Sequence, residues 1–138
     1  MTGQNKEQIK AKILFETGWC GTLCLTPIGP NLYRVEETPI ISGEVKYFDI
    51  IETKKQNDGT LLFKRVVEKS KFRAFGYLIA LDVIRSKQFQ MFWTKILQEG
   101  GYCETVFGGC VFIYLLPDSK IDPESEIKTI IDGLKAEG

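Results

Sequence analysis

Four cysteines, Cys20, Cys24, Cys103 and Cys110, are the residues of this 138-residue chain whose type first suggests chemistry. Thiolates bind zinc, pair as disulfides or act as nucleophiles. The spacing argues against the first two. Cys20 and Cys24 lie in an alternating stretch, Trp19 to Leu25, that predicts a strand. Residues four apart on a strand share a face but stand ~13 Å from each other, whereas two thiolates bound to one zinc at ~2.3 Å must lie within about 4 Å. Only a kink at Gly21 would bring them together. With Gly108-Gly109 as a two-residue turn, Phe107 faces Cys110 and Cys103 faces Tyr114. Cys103 and Cys110 are then four residues out of register, too far apart for a disulfide. The expectation is reduced, inert thiols and no metal site, with Cys20 the one to test for reactivity.

Carboxylates are the next candidates, because the chain contains no histidine. That removes Ser-His-Asp and Cys-His catalysis, imidazole zinc sites and the usual carrier of protons near neutral pH. Polar residues near apolar strand ends are Glu16, Asp49, Asp82 and Glu104. The Asn57-Asp58-Gly59 turn predicts a hairpin in which Glu52 faces Arg65, Ile51 faces Val66, Ile50 faces Val67 and Asp49 faces Glu68. Two adjacent carboxylates can share a proton and act as a general acid. A bulge or an end to the ladder would instead leave Asp49 and Glu68 with no such role. Glu16, Asp49 and Glu68 are therefore the acid/base candidates if the protein is an enzyme. Gly-rich phosphate loops, a nucleophile elbow and a Cys-x-x-Cys pair are all missing, and no cofactor is expected.

Eighteen basic and eighteen acidic residues cancel, which argues against a nucleic-acid partner. The balance is uneven: residues 1–73 hold 12 basic against 9 acidic side chains, the remainder 6 against 9. The positive excess gathers at Lys64, Arg65, Lys69, Lys71 and Arg73, which reads as a charge-protected strand edge. Lys64, Lys69, Lys71 and Arg73 are the candidates for an anion contact. No apolar run nears the ~20 residues that span a bilayer. The polar start, Met1 to Lys12, has no secretory core, so a cytoplasmic protein is expected.

The positioning elements follow from periodicity. Strands are predicted over Lys10–Glu16 (a short helix over Lys6–Leu14 is the other reading), Trp19–Thr26, Leu32–Glu36, Tyr47–Thr53 and Thr60–Lys69. Phe72 to Leu81 is apolar on both faces, the pattern of a strand covered on two sides. Ser86 is a good N-cap for a helix whose stripe is Phe89, Phe92, Trp93, Ile96 and Leu97, ended by Gly100-Gly101. A hairpin, 102–107 and 110–116, follows. One face carries Val106, Val111, Ile113 and Leu115; the other carries Cys103, Thr105, Phe107, Cys110, Phe112 and Tyr114. The second face is also apolar, so the N-terminal strands, a second subunit or a partner must cover it. Asp122 as N-cap and Pro123 at the first helical position begin a final helix buried along Ile127, Ile130, Ile131 and Leu134.

These elements predict an α+β chain, a single compact domain over 1–138. Residues 10–70 form a small antiparallel, barrel-like sheet. It is expected to pack on a β-α-β-β-α unit over 71–138, an incomplete ferredoxin-like arrangement.

The succession Glu16-Thr-Gly-Trp19-Cys20, Pro27 to Val35 with Tyr33-Arg34-Val35, and Thr38-Pro39-Ile40-Ile41 resembles a bacterial family, domain of unknown function 4265. Tyr47 to Ile51, Leu61-Leu62-Phe63, Val66-Val67 and the turn into Arg73 extend it across residues 10–115. Ile40-Ile41 stands where that family has an aromatic pair, and Phe48 where it has a glycine before Asp49. The resemblance implies architecture and no activity. A missing histidine, neutral balance and surplus apolar face together favour a non-catalytic binding module. It would be immunity- or antitoxin-like, or a small-ligand sensor, and its candidate interaction face is Cys103, Phe107, Phe112 and Tyr114. A protein partner or homodimer is expected; a carboxylate-based enzyme is the alternative.

Overall fold

A computed structural model describes residues 7–39 and 44–137. Met1 to Lys6, and Ile40 and Ile41 of the family resemblance, lie outside the described residues. The chain is α+β and divides into two units, residues 1–70 and 71–138.

The first unit is a closed five-stranded barrel of β1 (Ile9–Leu14), β2 (Cys20–Gly29), β3 (Leu32–Val35), β4 (Ile50–Lys55) and β5 (Leu61–Glu68). Each strand pairs antiparallel with the next. After four reversals the first and last strands point the same way, so the seam between β1 and β5 is parallel, with Ile13 beside Leu61. Alternation sends Ile13, Leu23, Leu25, Val35, Ile51, Leu61 and Phe63 inward, where they form one core with Phe15 and Val45. Closure removes the exposed edges that so small a sheet would otherwise present.

The β4–β5 hairpin departs from the expected register. Its turn is longer than two residues: the Gly59 amide donates to Gln56, and the Gln56 amide donates to Thr60. Gly59 has φ +88°, open to glycine without strain. Asp58 accepts from the Thr60 amide at 2.9 Å, and its hydrogen bonds with Thr60 lower its pKa. Glu52 faces Arg65 and Ile51 faces Val66 as expected. A bulge then sets Ile50 opposite Glu68, so neither the Ile50–Val67 nor the Asp49–Glu68 pair forms.

The second unit is a three-stranded antiparallel sheet, in the order β6 (Arg73–Leu78), β8 (Cys110–Leu115), β7 (Tyr102–Val106). With it come α1 (Leu81–Ile84), α2 (Lys87–Gln98) and α3 (Pro123–Glu137). Ser86 accepts from the Phe89 amide as the N-cap of α2. Gly100 takes the left-handed turn after the helix, at φ +88°. A Cβ on Gly101 would stand 2.6 Å from the Tyr114 carbonyl and 2.8 Å from Ile96, so α2 and β8 approach too closely there for any side chain. Asp122 accepts from the Ser125 amide, with Pro123 opening α3. Phe89, Phe92 and Ile96 of α2 and Ile127 of α3 pack on Val111, Ile113 and Leu115, while Leu97, expected in the α2 stripe, is exposed. No helix among the described residues is long and apolar enough to cross a membrane.

Two expectations about this sheet are corrected. The hairpin turn spans Phe107, Gly108 and Gly109, with Phe107 at φ +55° and Gly108 at φ +80°. Val106 therefore faces Cys110, Cys103 faces Ile113 and Glu104 faces Phe112. This one-residue slip carries Cys103 onto the helix-covered face, where it is buried, and Val106 off it. Strand β6, read as covered on both sides, is an edge strand whose Ala74, Gly76 and Leu78 are exposed.

Candidate functional site

Apolar side chains collect in solvent at one end of the second unit. Leu78 closes β6 opposite Cys110, and Val106 flanks the same Cys110 from β7. Phe107 follows in the turn, and the Ile79 amide donates to Gly109 at 2.9 Å, tying the end of β6 to that turn. Leu81, at the start of α1, has its Cδ2 3.8 Å from where a Cβ on Gly108 would lie. Leu78 is 86% exposed, Phe107 83% and Leu81 46%. The turn holds Phe107 in a left-handed conformation that bulky residues rarely adopt.

Behind this end, the outer face of the sheet continues as a shallow groove of about 180 Å³ lined by Gly76, Tyr77, Leu78, Cys110 and Phe112. Gly76 leaves room for the Phe112 ring beside β6: a Cβ there would stand 3.3 Å from it, tighter than an ordinary contact. Further along, Tyr114 is buried, with its ring 6.4 Å from Phe72 and 6.0 Å from Tyr102. Between β6 and α3 a second groove of about 240 Å³ is lined by Tyr77, Glu124, Ile127, Lys128 and Ile131. Burial, then the Glu124 and Asp122 carboxylates, push the Tyr77 phenol up.

The predicted interaction residues thus divide. Phe107 and Phe112 line this region, Tyr114 is buried farther along the same face, and Cys103 is in the core. Burial pushes the Cys103 thiol up to about 12, which leaves it protonated and unreactive. None of the four cysteines is in a disulfide, and only Cys20 is exposed. Leu78 and Leu81 escaped the sequence reading because the apolar run from Phe72 to Leu81 has no break to separate strand from solvent. The signal was the alternation Ala74-Gly76-Leu78, two small residues and one large one on a single face.

The carboxylate candidates occupy three unlike settings. Glu16 is exposed in the turn after β1, and Glu68 is exposed at the end of β5. Asp49 is buried, with one oxygen accepting from the Lys46 amide at 2.8 Å and the other from the Ser70 amide at 2.7 Å. Its carboxylate clasps two chain segments. Among the described residues no group of acids, cysteines or histidines could hold a metal ion. Lys64, Lys69, Lys71 and Arg73 are all exposed, and Arg73 donates to the Ser119 carbonyl at 3.0 Å.

One polar cluster in the barrel went unread. Glu36 accepts from Thr26 Oγ1 at 2.6 Å and from Arg34 Nε at 2.8 Å, with its side chain 7% exposed. The Arg34 guanidinium lies 4.5 Å from the centre of the Phe48 ring. These contacts tie Thr26 of β2 to Arg34 of β3 through one Glu36 oxygen, so the cluster braces the β2–β3 pair. Arg34 and Glu36, two apart on a strand, were its sequence signal.

No family model matches the chain, and no curated protein matches it. It is similar to the solved structure of a hypothetical protein from Neisseria gonorrhoeae, with a TM-score of 0.52 and 14% identity. The match covers 95% of this chain and 90% of that one. This likeness is one of fold alone.

Proposed function

We propose that this protein is a non-catalytic binding module of the bacterial cytosol whose contact surface is the apolar end of its second unit. The observation that carries the reading is the convergence of Leu78, Leu81 and Phe107, all exposed, around one turn and one strand end. Exposed apolar groups gathered in one place are characteristic of contact surfaces, and aromatic residues are enriched at the centres of such contacts. An immunity- or antitoxin-like role, with a protein as partner, suits such an open surface better than a small-ligand sensor, since both grooves are shallow. The resemblance to domain of unknown function 4265 belongs to the same proposal. So does an incomplete ferredoxin-like second unit, which the strand order β6-β8-β7 supports. The carboxylate-enzyme reading gains nothing, because both oxygens of Asp49 already receive backbone amides.

The test is affinity capture from a native lysate with the unmodified chain and with Phe107→Ser. A protein retained stoichiometrically by the first and lost by the second is expected. Equal retention by both would place the contact elsewhere. A large thermal shift with a metabolite, and no retained protein, would favour the sensor.

A further inference from the structure

Strand β6 is an open edge, and its hydrogen-bonding phase follows from one bond. The Ile79 amide donates to Gly109, continuing the register in which Leu78 faces Cys110. Backbone groups alternate sides along an antiparallel strand. Tyr77, Phe75 and Arg73 therefore turn theirs toward β8, while Ala74, Gly76 and Leu78 turn theirs outward. Those three residues are exposed. Edges are ordinarily protected by lysine, proline, bulges or inward charge. Here the register runs through six pairs without a shift, and the strand's single charge, Arg73, is engaged with the Ser119 carbonyl.

We propose that β6 pairs with β6 of a second copy of this chain, antiparallel about a twofold axis through Gly76, joining two three-stranded sheets into one of six. This rests on the interaction-module reading and adds to it a second copy of the chain, held at the strand edge beside the Phe107 turn. The edge is self-complementary in phase, shape and charge. Gly76, whose backbone groups face outward, opposes its own counterpart, and Ala74 opposes Leu78 of the second copy, so that the exposed leucine covers an alanine. Phe75 and Tyr77 point to the helix-covered face. Pairing sets Phe75 of the second copy beside Tyr77, where the apolar groove of Tyr77, Ile127 and Ile131 lies open. The antiparallel direction lays the basic Lys71–Arg73 end of one strand against the uncharged Ile79–Leu81 end of the other, with Asp82 just beyond. The two basic ends are kept apart, as an isologous contact requires. A parallel copy would stack them.

Sedimentation of the full chain over about 1 to 300 µM, a range that spans typical weak dimers, should show a particle of twice the 15.7 kDa chain mass. Ala74→Lys should weaken the dimer at least about tenfold, because edge lysines oppose strand addition. Combining Ala74→Lys with Leu78→Glu sets opposite charges across the twofold axis at both ends and should restore it. Hydrogen exchange on the unmodified chain reads the same contact without substitution: the Gly76 and Leu78 amides should gain protection as concentration rises. A chain that stays at the monomer mass throughout overturns the pairing and leaves the lysate result to judge the interaction reading by itself. A dimer indifferent to Ala74→Lys, or not rescued by the double variant, overturns it too.

Discussion

Individual residues show how burial decides between chemistry and structure. Cys103 looked like any other thiol of the chain until its register placed it among Phe89, Ile113 and Leu115. Its thiol resists ionisation up to about 12, against an ordinary value of 9.0. The raised value fixes the sign of its pH effect. Stability from the neutral buried thiol is complete below about pH 9 and is lost as pH climbs from there through about 12, where the unfolded thiol ionises and the folded one does not. A thiol reagent at pH 8 should therefore modify exposed Cys20 in the native protein and reach Cys103 only after denaturant is added; mass spectrometry of the labelled sites reads the order. Thr53 supplies a second residue-level prediction. It is 2% exposed, and its hydroxyl is the buried side-chain polar atom without a partner among the described residues. Thr53→Val keeps the shape and removes the orphan, so urea unfolding should show a gain of about 1 kcal/mol.

At the scale of elements, strand register mattered more than strand identity. Leu32–Val35 and Leu61–Glu68 fall within the strands that alternation placed, because period-two burial is written into the residues themselves, whereas the strand expected over Trp19–Thr26 runs on to Gly29. Two hairpins nonetheless slipped by one residue, each at a turn that took one more residue than its glycine signal suggested. Asn57-Asp58-Gly59 closes on Gln56 and Thr60, and Gly108-Gly109 recruits Phe107. In the second hairpin the slip exchanges faces, so Cys103 changed sides. In the first a bulge restores the expected pairs at Glu52 and Ile51, and a further bulge between Ile51 and Ile50 dissolves the candidate acid pair Asp49–Glu68. The Phe107 turn carries a prediction that sets stability against contact. An aromatic residue at φ +55° is strained, and asparagine adopts that region readily. Phe107→Asn should raise the unfolding free energy by about 0.5 to 1 kcal/mol while weakening partner capture. Loss of stability in the same melt would contradict the strain account.

For the molecule as a whole, the relevant observation is that each unit owns a core. Every residue of one cluster, from Ile13 to Phe63, lies in the barrel; every residue of the other, from Ile79 to Ile127, lies in the second unit. Pieces of about 70 residues approach the lower limit at which a single core sustains a fold. A fragment spanning residues 71–138 should accordingly keep helical circular dichroism and unfold cooperatively. A fragment without a cooperative transition would show that its core needs the barrel residues.

The amino-acid sequence by itself determined the succession of strands and of the two longer helices, the barrel and helix-bearing halves, the caps at Ser86 and Asp122, and the exclusion of histidine chemistry; the short α1 it did not show. These are local properties: periodicity, a side chain reaching an amide three residues on, and composition act within a few turns of chain. Tertiary structure alone decided which faces are covered. It placed Leu78, Leu81 and Phe107 in solvent, made β6 an edge, moved Cys103 into the core, and gave both oxygens of Asp49 to amides of residues 46 and 70. Coverage depends on what packs against a strand from distant sequence. An apolar residue fits a core and a contact surface equally well, so its type cannot distinguish the two until the neighbours are in place.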